Sequence, residues 1–297
     1  MNKKLKILLI IFGLIMLCAI YVTFIWLDLA SPGLLKVAFL DVGQGDAIFI
    51  ETPSGNQVLI DGGPAGGFGG GSQSVPVLGE LSEVMGINDK DIDIVIATHP
   101  HADHIQGLNK IFDYYSVDMI VDAGVDYESK TATEWESNRV RAKQYKEVSI
   151  GDSIDLGDGV ALDFVYPNDS LIKPKNKAHD KMVVALLRYR DFRLLLTGDL
   201  EGYNEGNLRL ASGERVQAQF LKVAHHGSKN STTLEFLDNL SPHIGFISVA
   251  SKNRYGHPHQ QTLDKLDAYG VRYYRTDIGG TINLATDGFY YKIASSK

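Results

Sequence analysis

The sequence predicts an α/β fold in which two β-sheets pack face to face and helices cover both outer faces. Three observations point there. Short β-rich runs bounded by Gly, Pro and Asn turns recur in both halves of the chain. Helical patterns alternate with those runs in each half. Clusters of His and Asp follow directly after apolar runs, where strand-end loops can converge on one sheet edge. A chain of 297 residues suits one large domain or two packed halves.

The first thirty residues stand apart. MNKKLK is basic, and the run from Leu5 to Leu27 holds 23 residues of which only Lys6 is charged. A cleavable signal has an apolar core of roughly 7–15 residues, whereas a spanning helix needs about 20. The length predicts an uncleaved transmembrane helix, with a signal peptide cut near DLASPG as the alternative. Lys3, Lys4 and Lys6 would keep the N-terminus inside. The expected organisation is a membrane anchor over residues 1–30 and a domain over residues 31–297 on the extracytoplasmic side of the cell membrane. Cys18 is the one cysteine, which excludes an internal disulfide framework and any Cys-rich zinc module. Leu17 before it is too bulky for a lipoprotein site.

Beyond SPG, KVAFLDV, AIFIET and QVLIDGG read as strands, the last two joined by a PSGN turn. The Gly-rich GGPAGGFGGGSQS lacks the Lys-Ser/Thr of a phosphate-binding loop and reads as a rim loop. A helix through VLGELSEVMG precedes the apolar run DIDIVIATHPH. HIQGLNKIFDYY is helical, VDMIVDAG a strand, and TEWESNRVRAKQYK an exposed helix. The second half repeats the style. SIDLGDGVALDFVYP, MVVALLRY and FRLLLTGDL are strands, NEGNLRLASG a helix, and QFLKVAHHGS ends at a His pair. TTLEFLDNL and QQTLDKLDAYG are helices flanking the strand IGFISVAS, and VRYYRT, GTINLAT and FYYKIA close the chain as strands.

The net charge is −7, and because the N-terminal segment is basic the remaining domain is more acidic still. That argues against a broad phosphate-binding surface, since non-specific nucleic-acid affinity comes mainly from Lys and Arg neutralising phosphates. A local groove stays open.

ATHPHADHIQG carries the chemistry. It places His99, His101, Asp103 and His104 within six residues, three of the nine histidines of the chain. A strand ending at Thr98 releases a tight loop in which His99 and His101 point the same way, with Asp103 and His104 opening a helix. Imidazole and carboxylate so close together suit Zn²⁺, and also Mn²⁺ or Fe²⁺.

This pattern resembles the metallo-β-lactamase superfamily. FLDVGQGDAIFIETPSGNQVLIDGG, DIVIATHPHADHIQGL, FRLLLTGDLE, LKVAHHGSKNSTTLEFL and SVASKNRYGHPHQQTLDKL are similar to the hydrolase domain of ComEC-type competence proteins, over about residues 35–293. The resemblance implies an αββα sandwich with a two-metal site, Zn or Mn, on one edge. It implies that His99 and His101 bind one metal, Asp103 and His104 the other, and that Asp199 bridges them. His225 and His226 end another strand; His226 is the expected ligand, and His225 either supports a ligand from behind or lies near the substrate, because an extended adjacent pair points to opposite faces. Asp61 is expected to hold a ligand imidazole by its other nitrogen. Before LLLTGD, the family's Asn-x-x-Ser type motif is replaced by HDKM, so His179 either completes the first metal site or is a surface histidine of KPKNKAHDK. Asp41, Gln44 and Asp46 brace the metal loop.

The resemblance further implies metal-assisted hydrolysis of a phosphodiester, with Asp103 orienting water and His225 or His257 protonating the leaving oxygen. Ser228, Ser231 and Asn253 are candidate phosphate contacts, and His259 has no expected role. Extracellular DNA and phosphorylated surface polymers are candidate substrates. Lactones and other esters are alternatives. A non-enzymatic accessory module beside a separate uptake channel protein is another, because the multi-span channel of those competence proteins has no counterpart in this sequence.

Overall fold

Apolar side chains on both faces put β1 (Leu35–Phe39) into two cores at once, because successive strand residues face opposite sides. Val37 and Phe39 enter the core between the sheets, and Ala38 enters the core under the first helical layer. The computed structural model describes residues 33–66, 74–168, 181–210 and 212–297, together with 13, 16 and 17. The chain divides into two units, Met1–Leu34 and Leu35–Lys297. Nearly all of the first lies outside the described residues, the expected spanning segment included. Among the described residues no helix is long and apolar enough to cross a membrane.

In the second unit, β1 is followed by β2 (Ile48–Glu51), β3 (Gln57–Ile60), α1 (Pro76–Val84), β4 (Asp91–Ile96) and α2 (Ala102–Ile111). Next come β5 (Ser116–Asp122), α3 (Lys130–Asn138), β6 (Gln144–Glu147), β7 (Ser153–Asp155) and β8 (Val160–Tyr166). Then follow β9 (Val184–Tyr189), β10 (Phe192–Leu196), α4 (Gly202–Glu205), β11 (Phe220–Lys222) and α5 (Leu234–Leu240). The chain ends with β12 (Ile244–Ile247), α6 (Gln260–Ala268), β13 (Arg272–Arg275), α7 (Thr276–Gly279), β14 (Ile282–Thr286) and β15 (Tyr291–Ser295).

The strands form an eight-stranded sheet, β15-β14-β1-β2-β3-β4-β5-β6, and a seven-stranded sheet, β13-β12-β11-β10-β9-β8-β7. Phe39, Ile50, Leu162, Leu187 and Phe246 pack between them. Leu81, Leu108, Ile111 and Trp135 close the outer face of the first sheet, and Phe236, Leu240 and Leu266 that of the second. The αββα sandwich is therefore built as four layers. Pairing is parallel from β3 to β6 and from β10 to β13, so the C-terminal ends of these strands gather at one edge, the usual place for a site in such sheets.

Two stretches differ from expectation. TEWESNRVRAKQYK is not one exposed helix: α3 stops at Asn138, a 3-10 turn follows, and β6 adds an edge strand. Trp135 is buried, its indole N–H donating to Asp122 at 2.9 Å, so tertiary packing outweighs the polar look of the segment. The expected helix at NEGNLRLASG is only the short α4 and a turn closed by an Arg209–Arg215 bridge, as suits a glycine-punctuated stretch.

Candidate metal centre

The loop after β4 delivers the His cluster. β4 ends at Ile96, Thr98 is pinned by Asp61, and α2 starts at Ala102. His99 and His101 do point the same way, with Nε2 and Nδ1 2.9 Å apart. Gly45, φ +139°, allows the loop after β1 to lie against this turn, since a Cβ there would sit 2.0 Å from the Asp103 carbonyl oxygen.

The second sheet supplies the other half. Asp199 follows β10, and His225 and His226 follow β11. The extended pair expected from the sequence is not what forms. Both histidines adopt left-handed backbone, φ 50° and 53°, a conformation that costs L-residues roughly 1–2 kcal/mol each and tends to persist at functional sites. The turn brings both rings inward. His225 Nε2 lies 3.7 Å and His226 Nε2 3.4 Å from the Asp199 carboxylate.

Asp199 is the hub. Its carboxylate also lies 3.3 Å from His104 Nε2 and 3.8 Å from His99 Nε2. Ligand atoms of Asp103, His104, Asp199 and His226 all fall within 4.8 Å of one another. His104 Nε2, His226 Nε2 and Asp199 Oδ1 are buried without a hydrogen-bond partner, a costly state unless something else satisfies them. Nitrogen and carboxylate donors aimed at a common point fit divalent cations. The far nitrogens are engaged, as ligating imidazoles require. His104 Nδ1 meets Asp61 at 2.7 Å, His226 Nδ1 donates to the Ser248 carbonyl at 2.9 Å, and His99 Nδ1 lies 3.0 Å from the Thr98 hydroxyl.

Charge is organised to match. Burial opposes protonating His104 and His226, yet the Asp199 carboxylate, with Asp61 and Asp46 respectively, outweighs it; His104 rises well above its ordinary range and His226 to about 10. Burial would likewise raise Asp199 and Asp103, but the surrounding histidines hold both well below the usual carboxylate range. His99, buried and next to His104, is pushed well down. In the absence of metal these histidines and carboxylates neutralise one another.

A cavity of about 400 Å³ opens over the centre, lined by His101, Asp103, Asp199, His225, His226 and His257 among others. Tyr127, Tyr255 and Arg254 also line it and were not singled out in the sequence. Tyr127 packs edge-on to His101 and Tyr255 stacks on His257, at 5.5 and 5.6 Å. Among the described residues, Arg254 is the one arginine or lysine in that lining. Its adjacency to YGHPH was the available signal. A larger cavity of about 910 Å³ lies on the outer face of the second sheet, around Asp163, Arg188 and Arg193, away from these groups.

Other expectations resolve differently. Ser231 is fully buried and donates to the Ala224 and Ser228 carbonyls, and Asn253 ties the Ala250 and His257 carbonyls together. Ser228 is buried and accepts from the Asn230 backbone. These three hold loops rather than face the cavity. His257 is half-buried at the rim, its ring 5.5 Å from His225, and burial together with His226 and His225 pushes it down to about 4. A proton-donating imidazolium at neutral pH is therefore not its form. His259 accepts from the Lys229 backbone at 3.1 Å. Gln44 accepts from the Ala250 backbone, and Asp41 pairs with Lys297. His179 and most of the Gly-rich stretch lie outside the described residues.

The architecture and donor set are those of one large class, and the comparisons agree. The Metallo-beta-lactamase superfamily profile matches residues 40–251, and the chain belongs to that superfamily. It is 31% identical over 285 residues to ComE operon protein 3 of Bacillus subtilis (strain 168), covering 92% of this chain and 36% of that protein. It is 26% identical over 284 residues to Recombination protein 2 of Haemophilus influenzae (strain ATCC 51907 / DSM 11121 / KW20 / Rd), covering 95% of this chain and 32% of that protein. Competence protein ComA of Neisseria gonorrhoeae is 26% identical over 249 residues, covering 84% of this chain and 32% of that protein. The chain thus spans about a third of the length of these curated relatives. Among solved structures, the metallo-beta-lactamase fold protein YhfI of Bacillus subtilis superposes with a TM-score of 0.50 at 10% identity, over 81% of this chain and 95% of that one. That likeness is one of fold.

Proposed function

We propose that the protein is a metal-dependent phosphodiesterase, held at the membrane by a single span within residues 5–27, with residues 31–297 on the extracytoplasmic side. The observation that carries the hydrolytic reading is the convergence of buried His104 Nε2, His226 Nε2 and Asp199 Oδ1, none of them hydrogen-bonded, beneath an open cavity. His99, His101, Asp103, His104, Asp199 and His226 would hold two divalent cations, Zn or Mn, with Asp199 shared. Such cations lower the pKa of a water and neutralise charge on a phosphoryl oxygen.

The chain's own groups do the rest. Asp103, partly exposed to the cavity and kept ionised, accepts a hydrogen bond from the attacking water and orients it. His225, between Asp199 and Glu201 at the cavity wall, donates the proton to the leaving oxygen. Neutral His257 positions the leaving group through its N–H, and Arg254 at the rim attracts the phosphodiester anion. The acidic balance of the domain favours a short phosphodiester or a chain end over a long duplex. The relatives named for competence and recombination favour a second reading, an accessory module of DNA uptake beside a separate channel.

The test is bound-metal analysis with hydrolysis of bis-p-nitrophenyl phosphate and single-stranded DNA, with added Mn²⁺ or Zn²⁺, for wild type and Asp103→Asn. About two metals per chain and turnover lost in the variant are expected. Two metals with turnover of lactones alone would replace the phosphodiester, and metal without any turnover would leave the accessory reading.

A further inference from the structure

Tyr255 lines the cavity over the metal centre and is 45% exposed. One exposed aromatic residue is ordinary on a protein surface; this one is held in place. Its ring stacks on His257, with centres 5.6 Å and planes 24° apart. The Arg254 guanidinium lies 4.8 Å from the centre of the same ring and donates to its hydroxyl at 2.6 Å. Three flat groups therefore adjoin on the wall supplied by the loop after β12. Asn253 fixes that loop. Its side-chain oxygen accepts from the backbones of Tyr255 and His257 at 3.2 and 2.9 Å, and its nitrogen donates to the Ala250 and His257 carbonyls at 3.0 and 2.7 Å.

Gln44, from the loop between β1 and β2, lines the same cavity and supplies a second observation. It is 2% exposed. Its Oε1 accepts from the Ala250 backbone at 3.3 Å, whereas its Nε2 is buried without a hydrogen-bond partner. A buried amide donor left without an acceptor is costly, and a ligand oxygen in the cavity would satisfy it. Because Gln44 is tied to the loop that presents Tyr255, donor and ring belong to one binding surface. The lining also restricts the occupant. Among the described residues no Leu, Ile, Val, Met or Phe lines the cavity, so a long acyl chain has little to pack on. Aromatic faces attract quaternary ammonium groups, but Arg254 beside this ring repels a second cation. A planar base carried by a phosphoryl group meets every feature, since bases stack on tyrosine and guanidinium planes. With Arg254 as the one basic side chain of the lining among the described residues, stacking supplies affinity that phosphate contacts do not.

We propose that Tyr255 is the stacking platform for a nucleobase beside the scissile phosphate, and so a residue that determines specificity. This rests on the phosphodiesterase reading of the same cavity. Every base offers a flat face, so stacking of this kind selects a base over no base rather than one sequence over another.

Calorimetric titration of the full chain loaded with Mn²⁺ tests this. It compares thymidine 5′-monophosphate with methyl 2-deoxyriboside 5-phosphate, the same sugar phosphate with a methoxy group in place of the base. The nucleotide is expected to bind about tenfold or more tightly. Tyr255→Leu should bring the two ligands within about twofold of each other, and Tyr255→Phe, which keeps the ring, should preserve the preference. Binding of the sugar phosphate by Tyr255→Leu shows that the variant is folded. Equal affinities in wild type, binding of neither ligand, or a preference that survives Tyr255→Leu overturns the platform. Hydrolysis of bis-p-nitrophenyl phosphate by the same preparation separates the two readings. Turnover with equal affinities overturns the platform and leaves the phosphodiesterase standing. A preference that depends on Tyr255, without turnover, overturns hydrolysis and keeps the platform as a nucleotide site.

Discussion

His104 and His226 lie side by side in the metal centre, ring centres 5.5 Å apart, yet they are held by different means. His104 rests on Asp61, which is held in turn by the backbone N–H and hydroxyl of Thr98 at 2.8 and 2.7 Å. Burial pushes Asp61 up despite the nearby histidine. His226 rests on the Ser248 carbonyl, with Asp46 3.4 Å from the same nitrogen. Burial would raise Asp46 too, but Lys222, fully buried with Nζ at 2.8 Å, and His226 outweigh it and hold Asp46 down to about 2. The difference follows from where the supports originate. Asp61 and Thr98 end neighbouring parallel strands, β3 and β4, of one sheet, so short hydrogen bonds suffice. Asp46 comes from the loop between β1 and β2 in the first sheet and Lys222 from β11 in the second, so an ion pair ties the two sheets together under the site. Buried pairs are costly to desolvate; this one links two sheets that belong to separate strand ladders.

The largest effect should come from the carboxylate that faces both histidines. Asp199→Asn should drop bound metal well below that of wild type and reduce turnover on the order of 10³-fold, read by elemental analysis and bis-p-nitrophenyl phosphate hydrolysis. Retention of full metal content would remove Asp199 from the centre. Lys222→Met tests the cross-sheet pair. It leaves Asp46 as a buried uncompensated charge and should cost about 3–5 kcal/mol in urea unfolding, most of it recovered in Lys222→Met/Asp46→Asn. A double variant no more stable than Lys222→Met alone would break the argument that the lysine acts through Asp46. Asp61→Asn and Asp46→Asn sharpen the contrast between the two supports. Each should weaken metal affinity about 10–100-fold by competition with a chelator. Asp61→Asn leaves His104 beside the Asp199 carboxylate, whereas Asp46→Asn takes from buried Lys222 the carboxylate it pairs with, so it should also lower stability more than Asp61→Asn. Equal stability losses would mean that the two histidines are supported alike.

The smallest expected effect is a pH dependence. Burial and the neighbouring His226 and His225 push His257 down to about 4 in the fold, from an ordinary 6.5. Between those values the unfolded chain binds a proton that the folded chain does not, so this group makes stability rise with pH across that window. Metal-free wild type should therefore lose stability relative to His257→Gln as pH falls from 6.5 to about 4, and the difference should stay flat above 6.5. A constant difference throughout would mean that the ring is not held neutral.

The sequence by itself determined the layered α/β architecture and the His99, His101, Asp103, His104 half of the centre. The reason is that both are local: period-two apolar patterns specify strands, and four donors within six residues have little choice but to converge. That Asp61 holds a ligand imidazole was also readable, through the family resemblance; that the imidazole is His104 came from the structure. The orientation of His225 and His226 was not, because consecutive left-handed residues carry no mark in composition and are maintained by the packing around them. Nor was Lys222 legible as the partner of Asp46, since a lysine at a strand end is ordinarily solvated and only the stacking of two sheets excludes water from it. The placement of Tyr127, Arg254 and Tyr255 over the centre was likewise decided by tertiary structure, which brings together loops more than a hundred residues apart in the chain.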